Sequence, residues 1–63
     1  MLNQENIRER LNYMINTYFS NQTKIAKELG VSLTTVNKFR SGNQNLSDEL
    51  LMLFDKFLKE RGI

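Results

Sequence analysis

A chain of 63 residues makes a single domain over 1–63, and a domain this small buries only about 60% of the surface its unfolded form exposes, so its stability margin is thin. It has neither Cys nor His. That removes the disulfides and Cys/His metal sites that staple many small folds and leaves packed helices, helped by self-association, as the expected source of stability. The net charge is only +2, but residues 1–19 sum to zero and residues 46–63 to −1, while residues 20–45 hold Lys24, Lys27, Lys38 and Arg40 against Glu28 alone, a net +3. Positive charge gathered in the middle third is what a polyanion-binding surface requires.

The same inventory argues against several functions. Without His, Cys or Trp, and with carboxylates that show no pairing pattern, no acid/base or nucleophilic site is expected. A domain of this size has little room for a substrate pocket of ~300 Å³ or more, so no cofactor, metal or small-molecule ligand is expected. The longest apolar run, Leu50 to Phe54, falls far short of the ~20 residues of a membrane span. No charged start followed by an apolar run and a cleavage site is present, so the reading is an intracellular, cytoplasmic protein.

Proline is absent and glycine occurs only at 30, 42 and 62, each closing a helical pattern where a left-handed cap is needed. The first helix is expected from Gln4 to Thr17, capped by Asn3, with Leu2 and Ile7 at staple spacing. Ile7, Leu11, Met14, Ile15 and Tyr18 form its apolar stripe, and Tyr13 falls on the opposite face. A second helix follows from Gln22 to Leu29, capped by Asn21 or Ser20, burying Ile25, Ala26 and Leu29. A third runs from Leu33 to Arg40 or Ser41 behind the Ser32 cap, with Val36 and Phe39 inward. The polar loop Asn43-Gln44-Asn45 comes next. The last helix begins after Ser47, with Leu46 and Leu51 as staple and Asp48 and Glu49 opposing the dipole; Lys59 and Arg61 stand at its far end before Gly62. Leu50, Leu51, Leu53, Phe54, Phe57 and Leu58 give it an apolar face of about 160°, wider than one packed side needs. Leu53 and Phe57, at its edge, are therefore candidates for a dimer interface.

Two short helices joined by a three-residue turn containing Gly are the ingredients of a helix-turn-helix, here about residues 22–41. Ala26 is small where the two helices cross, Gly30 supplies the turn, and Val36 seals the pair from ten residues beyond Ala26. The stretch QTKIAKELGVSLTTVNKFRSG, residues 22–42, resembles the lambda-repressor and Cro family of bacterial and phage regulators. The matching features are Gln22, Ala26, Gly30 followed by Val31-Ser32, Val36, the large apolar Phe39, and Gly42. The motif covers about a third of the chain, and the flanking helices extend the likeness to nearly all of it. The fold implied is all-α: a compact bundle of four helices, or five if the loop at 43–47 adds a turn, as in lambda-repressor-like DNA-binding domains.

The resemblance implies double-stranded operator DNA as partner. Gln22 is the counterpart of a phosphate donor at the head of the second helix. Leu33, Thr34 and Lys38 occupy the main base-reading positions, with Thr35 and Asn37 in support. Lys38 suits guanine O6 or N7, Asn37 suits adenine, and a Thr methyl suits thymine. Arg40, Ser41, Asn43 and Gln44 fall where contacts go to phosphates, which fix register without reading sequence. Leu33 departs from the family pattern, which places a polar residue such as Gln there; leucine either touches a thymine methyl or turns towards the core edge, so either specificity at that base step is weakened or reading shifts onto Thr34 and Asn37. The function implied is a transcriptional regulator that occupies a palindromic operator as a homodimer. With the chain ending one residue past a helix cap, its control is expected from synthesis, turnover or a protein partner. The alternative is a protein-interaction module, such as a phage antirepressor or modulator of another regulator, or an antitoxin.

Overall fold

In the computed structural model, which describes residues 2–18 and 20–63, helices begin where a short polar side chain satisfies amides that lack a partner in the first turn. Asn3 accepts from the Asn6 amide at 2.7 Å at the head of α1 (Gln4–Tyr18). Asn21 accepts from the Thr23 and Lys24 amides before α2 (Gln22–Leu29). Ser32 accepts from the Thr35 amide before α3 (Leu33–Ser41), and Ser47 from the Leu50 amide before α4 (Asp48–Glu60). At the other ends, Gly30 and Gly42 take φ of 74° and 83°, a region that penalises any Cβ. These turns let Val31 N–H reach the Ala26 carbonyl at 3.0 Å and Asn43 N–H reach the Lys38 carbonyl at 2.9 Å. The loop 43–47 adds no helix, and α1 runs one residue further than its pattern implies, to Tyr18.

All four helices feed one core. Ile7, Leu11, Met14 and Ile15 of α1 meet Ile25, Ala26 and Leu29 of α2, Val36 and Phe39 of α3, and Leu51, Phe54, Phe57 and Leu58 of α4, with Leu46 entering from the loop. Phe39 and Phe54, both fully buried, stack edge to face with centroids 5.7 Å apart, a favoured aromatic geometry. α1 packs on α3 and α4, and α2 packs on the same two helices.

Two expectations about apolar residues are corrected. Tyr18 is 62% exposed, so it belongs to no core stripe: it ends α1 and sets its ring edge-on to Tyr13 at 6.4 Å. Phe57 is only 7% exposed, packed into the core on one side with the Arg61 guanidinium 3.7 Å from its ring centroid, so it is not left over at the surface. Leu53, 40% exposed, is.

The α1–α4 contact also buries charge. Arg10 Nη1 donates to Asp55 Oδ1 at 2.6 Å, Lys59 Nζ stands 3.1 Å from Oδ2, and Arg10 Nε donates to the Ile63 carbonyl at 3.3 Å. The Arg10 hydrogen bond outweighs the effect of burial and, with Lys59 beside it, holds the Asp55 carboxyl below the ordinary aspartate value. Buried carboxylates are kept ionised by such partners.

Candidate nucleic-acid interface

The site rests on α2, the turn Gly30–Ser32 and α3. Ala26 and Val36 are both buried between the two helices, and Ile25, Leu29 and Phe39 close the packing around them. This fixes which side of α3 faces outward. At about 100° per residue, Leu33, Asn37, Ser41, Thr34 and Lys38 fall within one arc, and all five are exposed. Leu33 is 41% exposed, so it stays on the outer surface and does not turn to the core edge. Lys38 has no carboxylate partner among the described residues, and Lys24 and Lys27 of α2 are likewise exposed and unpaired there.

Thr35 lies apart from this arc. It is half-buried, its amide donates to Ser32 Oγ at 3.1 Å, and its hydroxyl sits 2.9 Å from the same oxygen. Its polar atoms complete the helix cap, which makes it a framework residue in this geometry. Gln22, also half-buried, has its Oε1 buried without a hydrogen-bond partner among the described residues. A phosphate needs a donor, so Nε2 is the only atom of that carboxamide suited to one.

The end of α3 and its loop are organised from α1. Arg8 Nε donates to the Phe39 carbonyl at 2.6 Å, and its guanidinium lies 4.7 Å over the Phe39 ring. The same side chain reaches the Gln44 carbonyl at 3.4 Å and Asn45 Oδ1 at 3.3 Å, while Nη1 pairs with Glu5 at 2.6 Å. A cation at a helix C-terminus is favoured by the dipole, and here it also satisfies a terminal carbonyl. One turn earlier, Gln4 pairs with the Leu46 backbone through two 2.8 Å hydrogen bonds, one donated and one accepted. One turn later, Asn12 Oδ1 accepts from Arg40 Nε at 2.7 Å and Asn12 Nδ2 donates to the Arg40 carbonyl at 3.4 Å. Ser41 Oγ donates to the Lys38 carbonyl at 3.1 Å and accepts from Asn43 Nδ2 at 3.0 Å.

Of the residues expected at the site, then, Leu33, Thr34, Asn37 and Lys38 form one outer face. Arg40, Ser41, Asn43 and Gln44 follow it along the end of α3 and the loop. Phe57 is buried beneath Arg61 and shows only an edge of its ring, and Leu53 lies exposed on α4. Sequence reasoning missed Gln4, Arg8 and Asn12. The available signal was their spacing of four, a polar row beside the apolar stripe of α1.

A groove of about 430 Å³ opens between α1, α2 and α4, lined by Met14, Tyr18, Lys24, Ile25 and Phe57 among others. It is larger than the chain's length led one to expect, but the one carboxylate lining it, Glu28, is tied to Arg61. Among the described residues no His, Cys, Asp or Glu cluster is arranged to hold a metal ion, and no helix is long and apolar enough to cross a membrane. Comparison with protein-family models, curated proteins and solved structures finds no match for this chain.

Proposed function

We propose that this chain is a sequence-specific, double-stranded-DNA-binding transcriptional regulator of the lambda-repressor and Cro type, acting by operator occupancy in the cytoplasm of a bacterium or of a phage's host. The observation that carries the reading is the outer arc of α3. Thr34, Asn37, Lys38 and Ser41 stand exposed there on a helix locked from behind by Ala26, Val36 and Phe39. A major groove about 12 Å wide admits such a helix, and these side chains suit base edges and thymine methyls. Arg40, Asn43 and Gln44 then meet the flanking phosphates, which set the register. The molecule measures 25 × 24 × 19 Å. Two copies can therefore lie side by side on one face of a duplex, with their α3 helices about 34 Å apart over a palindrome. The mechanism is occlusion of a promoter and involves no chemistry. Few cations line the face, so binding by a single copy is modest and falls steeply with salt.

Leu33 favours a second reading. An apolar side chain on the outer arc suits a protein partner, as in an antirepressor, a modulator of another regulator, or an antitoxin. Selection of bound duplexes from a random library at low and moderate salt separates the two. The operator reading expects an enriched palindrome. Binding with no enriched motif at any salt contradicts it and leaves the protein-partner reading.

A further inference from the structure

The four arginines of the chain are held in two different ways. Arg8, Arg10 and Arg61 each meet a carboxylate, from Glu5, Asp55 and Glu28. Arg40 meets none among the described residues; its Nε is held instead by the neutral amide oxygen of Asn12. Asn12 is fixed in turn, because its own amide donates back to the Arg40 carbonyl. Neither terminal nitrogen of Arg40 has a protein partner among the described residues, although the side chain is half-buried. A guanidinium gripped at Nε keeps its outer fork free for the two parallel hydrogen bonds that a phosphate accepts. An amide grips it without cancelling its charge, which a carboxylate in the same place would do.

We infer that Asn12 is a positioning residue for DNA binding: it pre-orients the Arg40 guanidinium, uncompensated, toward a backbone phosphate at the end of α3. This rests on the DNA-binding reading above. Orienting the side chain before encounter removes part of the rotamer entropy that binding otherwise costs. It also extends the working surface from the helix-turn-helix segment onto α1, through a residue that touches no DNA.

A double-mutant cycle on the selected operator duplex tests this, with affinity measured across a range of salt concentrations and melting curves recorded for each variant. Arg40→Ala is expected to weaken binding about three- to tenfold and to lower the salt slope by about one. Asn12→Ala is expected to weaken binding and lower the slope in the wild-type background, but to add no further loss in the Arg40→Ala background. Equal losses in both backgrounds, or no loss in the wild type, overturn the inference while leaving the DNA-binding reading intact. Should Asn12→Ala fail to fold, Asn12→Asp keeps the acceptor and replaces the amide by a charge. It is expected to bind at least as weakly as Arg40→Ala, because its carboxylate pairs with the Arg40 guanidinium while the bond donated to the Arg40 carbonyl is lost, and unchanged affinity overturns the inference. If the wild-type protein binds no duplex at low salt, the reading beneath the inference fails with it, an outcome distinct from uncoupled binding.

Discussion

Across the α1–α4 contact the protein uses its charges on itself. The buried Asp55 joins the half-buried Arg10 to the exposed Lys59, and Arg61 covers Phe57 while pairing with Glu28 of α2. Along α3 the pattern reverses. Lys38 and Arg40 have no carboxylate partner among the described residues, and Thr34 and Asn37 stand exposed beside them. Both regions are helices of one small core, so helix-building alone does not account for the difference. Opposite charges within reach stabilise a surface only slightly, so leaving cations unpaired forfeits little stability and keeps them available to a polyanion. On the DNA-binding reading proposed above, the α3 side serves the external partner and the α1–α4 side holds it in place.

The largest loss is expected at the core that the two regions share. Phe39→Ala removes a fully buried ring from the joint between the two regions, at a cost of ~3–5 kcal/mol. A domain of this length has a total stability of only roughly 3–9 kcal/mol. Urea titration followed by circular dichroism is expected to find this variant largely unfolded or barely folded at 25 °C.

Arg8→Met is the next largest change. It keeps much of the bulk but removes the bonds to the Phe39 and Gln44 carbonyls. A loss of about 1.5–3 kcal/mol is expected, with amide exchange accelerating first in residues 43–46. Uniform acceleration through α4 would show that Arg8 supports the whole bundle and not the loop.

Lys38→Ala sharpens the contrast from the other side. Operator affinity is expected to fall by ~1–3 kcal/mol with the melting temperature unchanged. Equal loss of stability and affinity would make Lys38 a structural residue.

Acid tests the internally paired region alone. Because the folded Asp55 carboxyl titrates below the ordinary aspartate value, its contribution to stability is complete above about pH 4 and is lost as pH falls through the lower folded value. Urea midpoints measured against pH are expected to drop on that acid limb in the wild type and to flatten there in Asp55→Asn.

The smallest effect belongs to Leu53→Lys, on the exposed edge of α4. Monomer stability is expected to stay within about ±0.5 kcal/mol. Sedimentation then reads out self-association, and an unchanged mass for a dimeric wild type would remove Leu53 from the contact.

The helices themselves were legible in the sequence. Asn21, Ser32 and Ser47 announce their starts and Gly30 and Gly42 their ends, because caps and left-handed turns are local events within five residues. The apolar stripes located the core for the same reason. What failed or went unseen depends on neighbours distant in the chain. Phe57 reads as a surplus apolar residue until Arg61 folds back over it, and Tyr18 reads as core until its place at the end of α1 is known. Gln4, Arg8 and Asn12 have partners 28 to 42 residues away. No periodicity within α1 reveals which loop that polar row will grip. The candidate reading face was legible as a set of exposed positions, whereas its mounting on α1 needed the relative placement of the helices.

The division between the two regions is tested most directly by titrating the isotope-labelled protein with the selected duplex and following backbone amide shifts. The account predicts that the largest perturbations fall at the head of α2 and over residues 33–44, with Met52, Leu53 and Lys56 on the outside of α4 shifting only where two bound copies touch. Perturbations centred on α4, with residues 33–44 unmoved, would contradict it.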